Sequence, residues 1–244
     1  MKILALDSSG LVATVAVMED DIMVAEYTTC YKKTHSQTLL PMLDEMKKMV
    51  DIDMKSIDAI AVTKGPGSFT GLRIGCATAK GLGLALGCPL VAIPTVDALA
   101  YNMYGSHALI CPLMDARREQ VYTGLYRFEK TDSGYEMVCE VPQCAISIEE
   151  IIHIVNTWES EVVFLGDGVP VHKEKIKELC KTEYSFAPAG FNRQRASSVA
   201  LLGASLYNKG ETVSADEMEP DYLRLSQAER ERMEMEQKAE EKKA

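Results

Sequence analysis

The chain has 244 residues, of which 47% are hydrophobic, and a formal net charge of −10 at pH 7. That length can bury the core of one large domain or two small ones, and the sequence has no apolar run of about 18 residues that would predict a membrane-spanning helix. The negative charge disfavours direct binding of this chain to nucleic acid, because the phosphate backbone repels it.

The seven cysteines are scattered and include no Cys-x-x-Cys pair. An odd number of dispersed cysteines predicts reduced thiols rather than a disulfide framework or a zinc site. The N-terminus runs directly into a predicted strand, without a basic segment followed by an apolar signal sequence. We therefore expect a cytoplasmic protein.

The first half of the chain begins with three β patterns and then changes to a helical period. Apolar residues recur every three or four positions over residues 39–50, which predicts an amphipathic helix. A buried strand, a glycine-rich stretch and a long helical pattern follow. The predicted strands are 2–6, 12–18, 22–28, 57–62 and 90–93, and the predicted helices are 39–50, one ending near Gly87, and one from Thr95 to about Met103.

The glycine-rich stretch at 65–67 connects the buried strand to the long helix. Gly65 and Gly67 permit backbone conformations closed to other residues, and Pro66 fixes the turn. Ser68 or Thr70 is suited to cap the helix, whose first N–H groups then point at the loop and could hold an anion. The spacing matches neither a Walker P-loop nor a dinucleotide fingerprint. The alternative is that the glycines only allow tight packing of strand and helix.

The second half repeats the order of the first. Strands 107–114, 120–128 and a third at 135–139 are followed by a helix at 148–157, a strand at 162–165 and a glycine loop at 166–168. A helix at about 169–181, a short strand near Ser185 and a helix at 196–208 complete it. Two successive βββαβα units predict a duplicated α/β protein with lobes at 1–105 and 106–210. Residues 211–244 are predicted to form a tail, partly helical or disordered, because polar and charged residues dominate its end.

Four segments carry a resemblance to a known family. Residues 65–75, Gly-Pro-Gly-Ser-Phe-Thr-Gly-Leu-Arg-Ile-Gly, resemble the signature of the TsaB (YeaZ) family of bacterial tRNA threonylcarbamoyladenosine biosynthesis. Segments 1–9, 115–122 and 220–224 are similar to that family too, in the same order. The resemblance implies the actin-like ATPase fold, in which two duplicated lobes face each other across a cleft.

In that fold two hairpin tips, at 7–10 and 115–118, and the two glycine loops, at 65–67 and 166–168, would line the cleft. Asp and Ser also favour plain turns, and Asp–Arg pairs at turns are commonly structural. Asp167 places a negative charge where phosphate or ribose would approach, which disfavours a kinase. The residues assigned to a vestigial nucleotide or anion site are Asp7, Ser8, Ser9, Gly65, Gly67, Ser68, Arg117, Gly166 and Gly168.

The resemblance also implies what the chain lacks. The catalytic paralogue TsaD carries a His-x-x-x-His metal motif, and the similar region here places Ala98 and Asn102 at the histidine positions. Alanine cannot bind a metal and an amide is a weak ligand, so no metal site and no catalytic residue are predicted. We expect no cofactor on the chain by itself, although ATP or ADP could bind at a partner interface.

The two helices of the first half are predicted to bind a partner. The first has a wide apolar band and the second has small residues four positions apart, which allow close helix approach. The alternative is that both faces are core. TsaB-like proteins pair through these helices, with themselves or with TsaD. The assigned interface residues are Leu39, Leu40, Leu43, Met46, Gly71, Gly75, Ala79 and Leu82.

The resemblance therefore implies a non-catalytic subunit that supports TsaD in modifying adenosine 37 of tRNA. Its partners would be a TsaD-type catalytic subunit, a TsaE-type ATPase, a second copy of itself when alone, and tRNA only through the complex. The leading alternative is an independent ATP-dependent phosphotransferase of the same fold, favoured by the Asp7 hairpin. A third hypothesis, a protease regulator or scaffold outside tRNA biology, is supported only by the apolar faces of these helices.

Overall fold

The computed structural model describes residues 1–31, 33–132 and 134–224. It contains two five-stranded sheets, with strand orders β3-β2-β1-β4-β5 and β10-β9-β6-β7-β8. The strands of the first sheet are β1 (Lys2–Asp7), β2 (Ala13–Glu19), β3 (Ile22–Thr29), β4 (Ala59–Gly65) and β5 (Leu90–Pro94). Those of the second are β6 (Leu109–Asp115), β7 (Gln120–Thr131), β8 (Gly134–Ser147), β9 (Val162–Leu165) and β10 (Tyr184–Phe186).

The two sheets have the same topology, as the repeated element order predicted. In each, the first three strands are antiparallel neighbours and the fourth is parallel to the first. β1 is central and buried on both faces, which explains its uninterrupted apolar sequence. The predicted duplicated actin-like fold is confirmed.

Within the described residues, six α-helices connect or follow the strands. The Ser68 hydroxyl accepts a hydrogen bond from the Gly71 N–H and caps the second helix, as predicted, and Gly87 ends it in the left-handed conformation. Within the described ranges, no helix has both the length and the apolar character needed to cross a bilayer. The helices are α1 (His35–Met49), α2 (Phe69–Leu86), α3 (Thr95–Ala100), α4 (Ile148–Val155), α5 (Gly168–Leu179) and α6 (Ala196–Asn208).

The helices and sheets form layers around three apolar cores. α1 and α2 cover the outer face of the first sheet, and α4 and α5 cover the outer face of the second. The central core joins the inner faces of both sheets through α3 and α6.

The division of the chain at residue 210 does not follow the packing. α6, assigned by sequence to the second lobe, packs on the first sheet, where a Cβ on Gly203 would lie 2.6 Å from the Ala61 Cβ. Residues 211–222, assigned to the tail, return to the same sheet: Val213 bridges Leu90, and the Asp221 N–H donates to the Lys64 carbonyl at 2.7 Å. The rest of the predicted tail, 225–244, lies outside the described residues.

Candidate functional site

The first hairpin tip, between β1 and β2, is buried. The Asp7 carboxylate accepts the Ser9 N–H at 2.7 Å, and the Ser8 hydroxyl donates to the Gly71 carbonyl at 2.9 Å. The Ser9 carbonyl accepts the Ser68 N–H at 2.6 Å. Burial raises the pKa of Asp7 above its usual range, and hydrogen bonds from Ser9 and Thr63 oppose the shift. The tip is thereby fixed to the start of α2.

The glycines of the first loop accommodate the chain's own backbone. A Cβ at Gly65, which has φ +135°, would lie 2.1 Å from the Asp221 carbonyl oxygen. A Cβ at Gly67 would lie 2.4 Å from the Ser9 oxygen. The peptide bond from Gly65 to Pro66 is cis. Tight packing, the alternative left open by the sequence, therefore accounts for these two glycines.

The second glycine loop is built in the same way. Gly166 has φ +110°, and a Cβ there would lie 2.1 Å from the Leu113 carbonyl oxygen. A Cβ on Gly168 would lie 2.9 Å from the same atom. Both predicted nucleotide loops are therefore packed on backbone of the chain itself.

The second hairpin tip, between β6 and β7, faces solvent. Arg117, Arg118 and Glu119 all have positive φ, from 55° to 64°. The Arg117 side chain is 84% exposed and pairs with the Asp115 carboxylate at 3.0 Å. Asp167 accepts the Asp115 N–H at 3.1 Å. Burial raises the pKa of Asp167, although the Asp115 hydrogen bond and the charge of Arg193 oppose the rise.

A cavity of about 770 Å³ lies between the two tips. Of the predicted anion-site residues, Ser9, Gly67, Ser68 and Arg117 line it. The other five, Asp7, Ser8, Gly65, Gly166 and Gly168, are not part of its lining. The predicted segments meet at this cavity, but five of the nine assigned residues do not line it.

Sequence reasoning missed several residues of the cavity wall. His35 is the first residue of α1, and its Nε2 lies 2.8 Å from the Gly10 carbonyl oxygen. Tyr31 and Lys33 precede it in the same wall, and Phe69 begins α2 beside it. The sequence feature that could have indicated these residues is their position, just before or at the start of the two predicted helices.

The four segments that carry the family resemblance meet at this cleft. Tyr222 stacks on Phe69 with ring centroids 4.7 Å apart, and Arg73 lies over the Phe69 ring and donates to the Tyr222 hydroxyl at 3.0 Å. Arg224 donates to the Ala116 carbonyl, in the second hairpin tip, at 2.6 Å. Residues 220–224 thus connect the glycine loop of one lobe to the hairpin tip of the other.

The region similar to the metal motif of the catalytic paralogue does not fit a metal. Ala98 is buried and offers no ligand atom. The Asn102 amide donates to the carbonyls of Phe191 and Arg193 at 2.8 and 2.6 Å and accepts the Ser198 hydroxyl at 2.6 Å. Over residues 1–31, 33–132 and 134–224, no group of three or more His, Cys, Asp or Glu side chains could hold a metal ion.

The outward orientation assigned to most of the partner-binding residues is wrong. Met46 is 0% exposed and faces the first sheet, and a Cβ at Gly75 would lie 2.6 Å from the Ser8 hydroxyl. The helices use these positions to approach their own sheet, because one apolar face must cover β1, β2 and β4. The six assigned residues that are buried in this way are Leu39, Leu43, Met46, Gly71, Gly75 and Ala79.

Other apolar residues occupy the outer surface of these helices. Leu40 is 51% exposed on α1, and Leu82 is half-buried on α2. The assigned interface set does not include Leu84, which is 67% exposed, or Met49, which is also exposed.

The fold and the cleft define a two-lobed protein of the actin-like ATPase class whose glycine loops are filled by its own backbone. The inorganic polyphosphate/ATP-glucomannokinase of Arthrobacter sp. strain KM shares the fold, with a TM-score of 0.52 at 10% identity over 84% of this chain and 98% of that chain. The YeaZ structure from Pseudomonas aeruginosa is more similar, with a TM-score of 0.74 at 25% identity over 91% of this chain and 99% of that chain.

Sequence comparison identifies the family. A model described as TsaD, tRNA N6-adenosine threonylcarbamoyltransferase, matches residues 24–232. The tRNA threonylcarbamoyladenosine biosynthesis protein TsaB of Bacillus subtilis (strain 168) is 35% identical over 229 residues, covering 94% of this chain and 96% of that protein. The chain belongs to the TsaB family, as its motifs predicted.

Proposed function

We propose that this chain is a non-catalytic subunit that supports a TsaD-type catalytic subunit. The complex would transfer threonylcarbamoyl to adenosine 37 of tRNAs that read codons starting with A. The names of the relatives support the pathway: the Bacillus subtilis protein is named for tRNA threonylcarbamoyladenosine biosynthesis.

The observation that supports a non-catalytic role is that the Asn102 side chain is engaged in hydrogen bonds within the chain. Its amide makes three hydrogen bonds, which tie the end of α3 to the start of α6. An amide engaged in this way supports the structure between the lobes and is not free to bind a metal ion. Ala98 supplies no second ligand. A metal-dependent transfer therefore needs another subunit.

The partner surface that we propose is the outer face of α1 and α2. Leu40 and Met49 on α1 and Leu84 on α2 are exposed apolar side chains on neighbouring helices. Gly81 has open space around the position of a Cβ, so a partner helix could approach closely there. This face would pair with TsaD, or with a second copy of the chain when it is alone.

The negative charge of the chain bears on how the complex would contact tRNA. With a net charge of −10, the chain would contact tRNA only through the complex, because the catalytic partner must supply the basic surface. A TsaE-type ATPase would be the further protein of this cytoplasmic complex. Any ATP or ADP would bind at a subunit interface.

The proposal is tested by co-purification with the TsaD-type protein of the same host, followed by tRNA modification with and without this chain. We expect a stable complex and modification that depends on the chain. A modification rate unaffected by its removal would contradict the supporting role, and turnover by this chain alone would contradict the non-catalytic role.

The interface is tested by a double substitution, Leu40→Glu with Leu84→Glu. Burying carboxylates without partners should weaken association about a hundredfold or more, measured by sedimentation. The matched control is Ile22→Glu, because Ile22 is 69% exposed and lies on the edge strand of the first sheet rather than on either helix. Normal pairing by a folded double variant would place the interface elsewhere.

A further inference from the structure

A second cavity, of about 600 Å³, lies where β4, β5, α3 and α6 meet the hairpin that joins β7 to β8. The first three of these elements supply Lys64, Pro94 and Asp97, and the hairpin supplies Tyr135 and Met137. Its lining has no residue in common with that of the cavity between the two hairpin tips. A cavity of this size can hold a small organic molecule.

Two opposite charges line this second cavity without pairing. Within the described residues, the Lys64 ammonium has no hydrogen bond or ion pair, and the Asp97 carboxylate has no ion pair. Oδ1 of Asp97 accepts the Tyr126 hydroxyl at 2.7 Å. Burial raises the pKa of Asp97, and the Tyr126 hydrogen bond and the Lys64 charge oppose the rise. The two charges are therefore close enough to interact but too far apart to form an ion pair.

The unpaired charges specify the polar end of a ligand. Both side chains are half-buried, and a partly desolvated charge without a counter-charge is unfavourable. A ligand ammonium group beside Asp97 and a ligand carboxylate beside Lys64 would supply both missing partners. A simple cation would be repelled by Lys64 and a simple anion by Asp97. The arrangement therefore favours a zwitterion.

The walls of the cavity specify the other end of the ligand. They are largely apolar and aromatic, and the residues that form them include Leu202, Leu206, Met137, Tyr101 and Tyr135. The Tyr135 ring packs edge-on against Tyr104 at 5.7 Å, and the Tyr101 ring packs in the same way against Phe128 at 5.5 Å. These contacts fix the aromatic wall, which suits an apolar side chain.

The rim of the cavity disfavours a second carboxylate on the ligand. Glu136, Lys209 and Glu211 lie there and are exposed. Lys209 pairs with Glu136 at 3.5 Å, whereas Glu211 has no ion pair within the described residues. An acidic ligand side chain would be repelled by Glu211.

We propose that this cavity binds a free α-amino acid with an apolar side chain, its ammonium group beside Asp97 and its carboxylate beside Lys64. The side chain lies against the aromatic and aliphatic wall. This site goes beyond the subunit role proposed above and does not depend on it, because every contact belongs to one chain.

The test is a calorimetric titration of the isolated full-length chain with L-leucine, L-glutamate and two leucine analogues, each up to about 10 mM. The analogue 4-methylpentanoate lacks the ammonium group, and 3-methylbutylamine lacks the carboxylate. We expect leucine to bind, and the other three to bind at least about tenfold more weakly, because each leaves a charge unpaired or repelled. Equal binding of either analogue or of glutamate, or no binding of leucine, would overturn the proposal.

Substitutions assign each charge to its partner on the ligand. Asp97→Asn keeps an oxygen that can accept the Tyr126 hydroxyl but removes the negative charge. It should reduce leucine affinity about tenfold and leave 4-methylpentanoate binding no weaker. Lys64→Met should weaken both ligands about tenfold, because both carry the carboxylate.

The matched control for these substitutions is Lys47→Met, an exposed lysine on α1 that does not line the cavity. It should leave both affinities unchanged, and thermal melting should show that all three variants are folded. Unchanged leucine affinity in folded Asp97→Asn or in folded Lys64→Met would refute the assigned contacts.

Discussion

The two hairpin tips occupy equivalent places in the duplicated fold and have opposite environments. Asp7, Ser8 and Ser9 are buried under the glycine loop and the starts of two helices. In the second tip, Arg117 and Arg118 are exposed and have left-handed backbone conformations. The topology fixes where a tip lies, and the elements that pack on it decide whether it is core or surface. Duplicated sequence positions therefore need not keep duplicated roles.

The largest effect is expected from filling the contact between α2 and the first tip. A Cβ on Gly71 would lie 2.0 Å from the Ser8 carbonyl oxygen, and backbone on both sides cannot move away cheaply. Gly71→Ala should lower the free energy of unfolding by at least about 3 kcal/mol, measured by denaturant titration.

The matched control lies on the same helix. Gly81 is exposed with open space around it, so Gly81→Ala should raise the free energy of unfolding by about 0.5 to 1 kcal/mol through helix propensity. Equal effects of the two substitutions would show that the first tip is not tightly packed.

The second prediction concerns the pH dependence that burial gives the first tip. Because burial raises the folded pKa of Asp7 above 3.8, the unfolded chain releases this proton first as the pH rises. The free energy of unfolding therefore falls as the pH rises from 3.8 through the folded pKa, by about 1.4 kcal/mol per unit of difference. Asp7→Asn should remove that fall, measured between about pH 4 and pH 8.

Glu26 provides a control of opposite sign. Burial would raise its pKa, but hydrogen bonds from Arg195 and Ser197 outweigh burial and lower it below 4.5. Its contribution to stability is present above 4.5 and is lost as the pH falls through the folded pKa. Glu26→Gln should remove that acid-side loss. Parallel pH profiles for wild type and Asp7→Asn would contradict the assignment.

A smaller effect separates the two serines of the first tip. Ser8→Ala removes a buried hydrogen bond to the Gly71 carbonyl and should cost about 1 kcal/mol in thermal unfolding. Ser9→Ala removes a hydroxyl that interacts with the Asp7 carboxylate and lowers its pKa, and should cost less than Ser8→Ala. Reversed effects would mean that the two side chains had been assigned the wrong partners.

The smallest effect is expected at the second tip. Arg118 has φ 55° and is exposed, so Arg118→Gly should relieve left-handed strain and raise stability by about 0.5 kcal/mol. Lys47→Gly on α1 is the control: it lies exposed in helical conformation and should lose about 1 kcal/mol. Calorimetric melting checks both, and a loss at Arg118 would indicate contacts that stabilise the tip.

Local patterns predicted the elements that have a clear period and clear end signals. β9 and α6 have the predicted bounds, 162–165 and 196–208, and Ser68 caps α2. β8 is much longer than predicted, Gly134–Ser147 instead of 135–139. It is an edge strand, and the edge of a sheet tolerates a proline such as Pro142, which obscured the strand pattern in the sequence.

Side-chain direction was harder to predict than element type. An apolar band on α1 indicates a buried face, but the sequence does not state how much of that face the chain's own sheet covers; here the sheet covers Met46 and leaves Leu40 outside. The cleft residue His35 was missed for a related reason. Its partner Gly10 lies on a different strand connection, and that contact arises only when α1 packs on the first sheet.

The position of α6 has a consequence for synthesis on the ribosome. This helix covers the inner face of β1 and β4. It packs so close to the sheet that a Cβ on Gly203 would lie 2.6 Å from the Ala61 Cβ. Chains emerge from the ribosome N-terminus first. The apolar inner face of the first sheet therefore stays uncovered by α6 until nearly all of the second half has been translated. The half of the protein that is made first is completed last.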